Sequence, residues 1–158
     1  HGMTGSRIGW TLAPEEISAL IATYALNATY GIPGFIQDAG LWSLREGAAI
    51  EADLAAAFHR RRDIALRALA GRQAVRLSPP QGAMYVMVDV RATGLSGRDF
   101  ADRLLDEAHI AVMPGESFGT AAAGHLRIAL TVADADLATA LGRIADLAET
   151  LAAEHAAG

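Results

Sequence analysis

The chain has 158 residues, of which 52% are hydrophobic, so it carries enough apolar material to bury the core of an ordinary domain. Its 13 basic and 18 acidic side chains give a formal net charge of −5, which argues against nucleic acid or an anionic membrane as a partner. Membrane-spanning and secretory-signal patterns are not recognised, and cysteine is absent, so we expect a cytoplasmic protein without disulfides or thiolate metal sites.

The first 70 residues carry a mainly helical pattern. Residues 7–12 suggest a short strand, and Pro14 with two following glutamates begins a helix that ends near Gly31. Helical spacing places four apolar side chains on one face that we expect to be buried: Ile17, Leu20, Ile21 and Tyr24. Further helices are predicted around residues 35–44 and from about 46 to 69, the second ending before Gly71.

From residue 74 onward the pattern changes to strand, strand, helix, strand, strand, helix. The strands are predicted over 74–77, 84–90, 110–113 and 126–130, and Ser96 with Asp99 caps the helix between the second and third. In the last strand Leu126 and Ile128 share an apolar face, whereas Arg127 points to the opposite face. The final helix carries a clear apolar stripe at Leu137, Leu141, Ile144, Ala148 and Leu151.

This order predicts an α/β protein of two parts. Residues 71–158 form a small domain in which helices pack on a mostly antiparallel or mixed sheet, and residues 1–70 precede it. A lone strand in the first part would leave its backbone groups unpaired, so we expect the rest of its sheet to lie upstream. We therefore expect the chain to be cut from a longer protein.

Four segments, over residues 3–10, 80–85, 114–119 and 126–130, appear in an order that resembles one family. They are similar to the fold-type I, pyridoxal-phosphate-dependent aminotransferases of class I/II, the aspartate aminotransferase superfamily. The resemblance implies that residues 1–70 end the large cofactor domain and its connecting helix, and that residues 71–158 are the small C-terminal domain. It also implies transfer of an amino group from an amino acid to a 2-oxo acid, in a homodimer.

The resemblance places the lysine that bonds the cofactor just upstream of His1. The chain itself contains no lysine, because its basic residues are all arginine, so no catalytic residue is assigned within it. We expect the isolated chain to be inactive and not to retain pyridoxal phosphate.

Two arginines match family positions with known roles. Arg7, with Thr4 and Gly5, resembles the segment that binds the cofactor phosphate, and Arg127 resembles the arginine that binds the substrate α-carboxylate. A guanidinium suits both tasks because its planar fork can engage two oxygens of one anion. The alternative for each is a solvated surface arginine, which is the favoured interpretation of Arg127 taken alone, and the surrounding motif reverses that preference.

Other patterns favour simpler interpretations. The run at residues 59–62 is more typical of a solvated helix face than of a nucleic-acid contact, and the histidines lack the spacing of a metal site. A stand-alone module that binds an amino acid or another carboxylate remains the alternative function. The choice among aromatic, aspartate, alanine and arginine donors stays open.

Overall fold

The computed structural model describes residues 1–157, which contain five α-helices and a four-stranded sheet. The helices are α1 (Glu15–Thr29), α2 (Gly34–Glu46), α3 (Ala48–Leu69), α4 (Gly97–Ala108) and α5 (Asp134–Ala157). The strands are β1 (Arg76–Leu77), β2 (Tyr85–Asp89), β3 (Met113–Pro114) and β4 (His125–Ala129). Contacts divide the chain into two compact units, residues 1–56 and residues from 57 onward. The domain division after residue 70 stays a prediction.

The sheet belongs to the second unit and is antiparallel throughout. Its strand order is β1-β2-β4-β3, with Met87 of β2 and Met113 of β3 both opposite Arg127 of β4. The predicted fold of helices on a small antiparallel sheet is confirmed. The third strand is shorter than predicted, because Ile110 and Val112 pack partly buried against the core before pairing begins at Met113.

One face of the sheet and two helices form the core of the second unit. Val86, Val88 and Leu126 are almost completely buried, as period-two alternation requires for a covered sheet face. Helix α4 adds Phe100 and Leu104, after Ser96 caps its first turn by accepting the Asp99 backbone N–H. The predicted apolar stripe of α5 is buried at every position: Leu137, Leu141, Ile144, Ala148 and Leu151.

An ion-pair cluster attaches α3 to the start of α5. Arg60 Nε and Arg61 Nε donate to the two carboxylate oxygens of Asp134, at 2.6 and 3.1 Å. Arg61 also donates to the Leu130 carbonyl at 3.1 Å, and Arg62 pairs with Asp63. The arginine run of α3 is therefore engaged by acidic partners within the chain.

The first unit contains α1, α2 and the beginning of α3. Helix α1 follows Pro14 and ends where Tyr30 turns left-handed, as the sequence predicts. Residues 7–12 form no strand in the structure, and residues 1–56 contain no strand that could pair with them, so the strand and its upstream partner stay a prediction.

The expected burial of one α1 face was wrong. The four apolar side chains on that face are 43–76% exposed. Helical spacing identifies which face is apolar, but it does not supply the element that covers it.

None of the helices over the described residues is both long and apolar enough to cross a bilayer.

Two leucine truncations test this division between core and exposed face. Leu141→Ala removes a fully buried side chain and should lower the free energy of unfolding by about 2–5 kcal/mol. Leu20→Ala, at a position 72% exposed, should change it by less than about 0.5 kcal/mol. Urea unfolding of both variants provides the comparison. An equally large loss for Leu20→Ala would show that the α1 face is covered in solution.

Candidate functional site

The predicted phosphate segment lies in the first unit. Thr4–Ser6 forms one 3₁₀ turn, and Arg7 follows it in the left-handed conformation, with φ 49° and ψ 39°. Arg7 Nη1 donates to the Thr4 carbonyl oxygen at 3.1 Å. Both residues line an open concavity of about 310 Å³, whose other lining residues are Met3, Ile8 and Gly9. Gly5 lies in the turn but does not line the concavity.

This segment has the donors that a phosphate requires. Arg7 is exposed, and no acidic side chain among residues 1–157 forms an ion pair with it. Its guanidinium uses one donor on the Thr4 carbonyl, which leaves further N–H groups for an anion. The residues present therefore fit a phosphate group.

Arg127 lies in the second unit, on the sheet face opposite the core. Its neighbours in β4, Leu126 and Ile128, point into the core, so alternation sends the Arg127 side chain outward. Met87 is directly opposite on β2, and Tyr85 is the diagonal neighbour two residues away. Diagonal neighbours on one sheet face are close enough for long side chains to touch.

Two aromatic rings contact the Arg127 guanidinium. Its Cζ atom lies 4.3 Å from the centroid of the Tyr85 ring and 4.2 Å from that of Phe118. Arg127 Nε is buried and has no hydrogen-bond partner among the described residues. No acidic side chain in the same part of the chain forms an ion pair with Arg127. The guanidinium is therefore held in place while its charge stays unpaired.

A small cavity lies beside this arginine. Its volume is about 170 Å³, and its lining is apolar apart from the arginine and a tyrosine: Tyr85, Ala111, Val112, Met113, Arg127 and Ala129. A compact anion with a short apolar body matches this lining, because Arg127 is its one charged residue.

A larger cavity of about 350 Å³ near β1 contains two arginines, one of which is paired with an acidic side chain. There Arg91 binds Asp89 through two nitrogens, Nε at 2.9 Å and Nη2 at 2.6 Å. The side-chain hydrogen bond from Arg91 lowers the pKa of Asp89 to about 2, so this carboxylate stays ionised and keeps its partner. Arg76, the other arginine of this cavity, is exposed on the edge strand β1.

Glu116 anchors the loop that carries Phe118. Its Oε1 atom accepts the backbone N–H of Gly97 and that of Gly124, both at 2.9 Å, so one carboxylate joins three segments. The Gly124 N–H, followed by the N–H of Glu116 itself and that of Gly97, lowers the pKa of this carboxyl. The 3₁₀ turn Gly115–Phe118 is thereby attached to the start of α4 and to the segment before β4.

Two glycines permit this turn. A Cβ atom at Gly115 would overlap the Ala122 carbonyl oxygen, so the backbone passes where no side chain fits. Gly119 ends the turn with φ 104°, a conformation that other residues rarely adopt. The path of the chain around Phe118 therefore depends on glycine at both ends.

Sequence reasoning assigned no role to Tyr85, Phe118 or Glu116. The position of Tyr85 could be found from strand alternation once β2 is registered against β4. The other two lie in a 3₁₀ turn, where neither helical nor strand periodicity shows which residues point together. For metal binding, no suitable group of His, Cys, Asp or Glu occurs among the residues described.

The fold and these arginines define an α/β chain with residues suited to small anionic molecules. The chain belongs to the aminotransferase class I and II family, whose model matches residues 1–144.

Several relatives and solved structures share this similarity. The arginine–pyruvate transaminase of Pseudomonas aeruginosa is 43% identical over 145 residues, which are 92% of this chain and 37% of that protein. The LL-diaminopimelate aminotransferase of Oleidesulfovibrio alaskensis is 33% identical, covering 93% of this chain and 37% of that protein. The aromatic aminotransferase structure from Pyrococcus horikoshii is 29% identical with a TM-score of 0.83, covering 94% and 40%. The chain thus spans well under half the length of these proteins.

Replacing Glu116 by glutamine tests the loop anchor. Glu116→Gln should lower the free energy of unfolding by about 1–3 kcal/mol at neutral pH, because a charged acceptor of two N–H groups is lost. The folded-state pKa lies below the ordinary 4.5, so this stabilisation is complete above pH 4.5 and disappears as the pH falls through the lower folded value.

Chemical denaturation of both proteins from pH 7 to pH 3 measures this difference. The matched control is Glu107→Gln, which removes an exposed ion pair with Arg103 one helical turn away and should cost about 0.3–0.5 kcal/mol. A Glu116→Gln loss no larger than the control would remove the anchoring role.

Proposed function

We propose that this chain is the C-terminal part of a pyridoxal-phosphate-dependent aminotransferase. The complete enzyme would transfer an amino group from an amino acid to a 2-oxo acid, and we expect it to be a cytoplasmic homodimer. Membership of the aminotransferase class I and II family supports the proposal, as does similarity to arginine–pyruvate, aspartate and LL-diaminopimelate aminotransferases.

The observation that carries the proposal is the unpaired guanidinium of Arg127. Amino donors and 2-oxo acceptors differ at the reacting carbon but share the adjacent carboxylate, so one arginine can bind both in turn. The planar fork would engage the two carboxylate oxygens and orient the reacting carbon. A Thermus thermophilus aspartate aminotransferase that is 33% identical, with a TM-score of 0.79, was solved with maleate, a dicarboxylate.

Arg7, Thr4 and Gly5 would hold the phosphate of pyridoxal phosphate. The bound cofactor supplies the electron sink that allows a proton to leave the α-carbon of an amino acid. Arg7 supplies charge-assisted donors that neutralise the phosphate, and Thr4 supplies a hydroxyl beside it. Because the chain contains no lysine, it lacks the side-chain amine that this chemistry also needs, and we expect the isolated chain to be inactive.

The substrate side chain stays unassigned. The relatives include arginine–pyruvate, aspartate, LL-diaminopimelate and aromatic-amino-acid aminotransferases, so their donors differ widely in charge and size. What these donors share is the α-amino acid group, which is the part that Arg127 would recognise.

Kinetics of a longer polypeptide that includes the preceding region test the proposal. We expect a yellow protein with the visible absorbance of bound pyridoxal phosphate and with transaminase turnover. Arg127→Lys should raise KM for the amino donor at least roughly tenfold, since a point charge replaces a bidentate fork and one charge-assisted hydrogen bond contributes about 1.5–3 kcal/mol.

Arg67→Lys is the matched control, because Arg67 is exposed on α3 and should leave KM unchanged. A longer protein without cofactor absorbance or turnover would contradict the aminotransferase assignment. A KM that Arg127→Lys does not alter would remove the role proposed for this arginine alone.

A second candidate function rests on the location of Arg127. The arginine, its two aromatic contacts and the adjacent cavity all lie within residues 57–157, which have their own hydrophobic core. This arrangement would also suit a stand-alone module that binds carboxylates without catalysis.

Thermal denaturation of the 158-residue chain separates the two candidates. Saturable stabilisation by pyruvate in the absence of pyridoxal phosphate, together with a longer polypeptide that lacks turnover, would favour the module. Turnover by the longer polypeptide would favour the enzyme, whichever result the isolated chain gives.

A further inference from the structure

We propose that Tyr85 and Phe118 are positioning residues, which hold the Arg127 guanidinium ready for a carboxylate without occupying its hydrogen-bond donors. The inference rests on the proposed role of Arg127 and extends it to two residues that would not themselves need to touch the carboxylate. It begins from the two ring contacts, at 4.3 and 4.2 Å from Cζ.

An arginine side chain has several rotatable bonds and must be ordered before it can bind with defined geometry. Ordering it in the ligand-free protein lowers the entropy cost of binding. A carboxylate partner would order the side chain but would also consume the donors and cancel the charge. Arg91 shows that outcome, because Asp89 binds two of its nitrogens.

An aromatic ring orders a guanidinium in a different way. The ring face attracts the cation through the electron density of the π system, while the N–H groups point outward from the edge of the guanidinium. The unpartnered Nε of Arg127 and the lack of an acidic partner within residues 1–157 fit this arrangement. Two rings therefore leave the cation ordered, charged and available.

Independent parts of the backbone fix the two rings. Tyr85 belongs to β2, whose register against β4 makes it the diagonal neighbour of Arg127. Phe118 ends the 3₁₀ turn that Glu116 anchors through Gly97 and Gly124. Phe118 is 46% exposed, so burial of its ring is incomplete and does not by itself account for this fixed position.

Leucine substitutions of the two rings test the inference in the 158-residue chain. Phe118→Leu and Tyr85→Leu should each weaken the binding of pyruvate by between about twofold and thirtyfold, the range expected for one lost cation–π contact. Titration followed by NMR on arginine-labelled protein measures the affinity. It also reports the Arg127 Nε–H signal, which ring currents displace in the wild type and which should move toward the position of a free arginine in each variant.

Conservative variants separate positioning from general structural damage. Phe118→Tyr and Tyr85→Phe keep an aromatic face and should retain both wild-type affinity and the displaced Nε–H signal. Phe58→Leu is the matched control, because its ring lies 5.9 Å from the guanidinium of Arg61 in the same unit. This control should leave pyruvate affinity unchanged.

The possible results distinguish the two proposals. If the wild-type chain binds pyruvate and the leucine variants bind it equally well, the positioning role is wrong and the carboxylate role of Arg127 stands. If the wild-type 158-residue chain shows no binding that Arg127→Lys can weaken, the positioning role is overturned, whereas the carboxylate role of Arg127 is decided by KM in the longer polypeptide. Loss of affinity in the conservative variants as well would also overturn the inference, since the aromatic face would then not be the feature that matters.

Discussion

The candidate site depends first on the register of β4 against β2. Side chains alternate along a strand, so a shift of one residue would send Arg127 into the core and expose Leu126 or Ile128. Burial of Leu126, Ile128 and Leu130 opposes that shift, because the shift would transfer these apolar side chains to water at about 1.5–3 kcal/mol each. The core thus determines which face the arginine occupies, although the Arg127 side chain lies on the opposite side of the sheet.

The second requirement is a loop held at a fixed distance from that face. Strand β3 pairs with β4 over only two residues, so pairing alone gives the following turn few constraints. Glu116 supplies the missing constraint by accepting backbone N–H groups from two other segments. The same carboxylate accepts the Gly97 N–H, which would otherwise be unpaired at the start of α4, so one hydrogen bond both holds the loop and caps the helix.

The sequence predicts the parts of this arrangement that lie in regular helices and strands, because periodic patterns of apolar residues occur there. The apolar stripe predicted for α5 and the alternation predicted for β4 were confirmed. Each element has one apolar face, and other residues of this chain cover that face. The same reasoning was wrong for α1, where Leu20 and Tyr24 have the right spacing but remain 72% and 76% exposed. Periodicity describes a helix alone, whereas burial requires a second element against it.

The contrast between Arg127 and Arg91 shows why residue type alone could not indicate which arginine has N–H donors free for a ligand. Arg127 lies in β4, and Arg91 follows the end of β2 in the same sheet. Arg127 has an aromatic partner close by, and Arg91 has an acidic partner. Their difference is whether the partner uses the N–H donors. Asp89 does, so Arg91 contributes a closed ion pair, whereas Tyr85 and Phe118 attract the cation and leave its donors free. Ligand-binding capacity therefore resides in the partners of an arginine as much as in the arginine itself, and those partners are set by strand register and by an irregular turn.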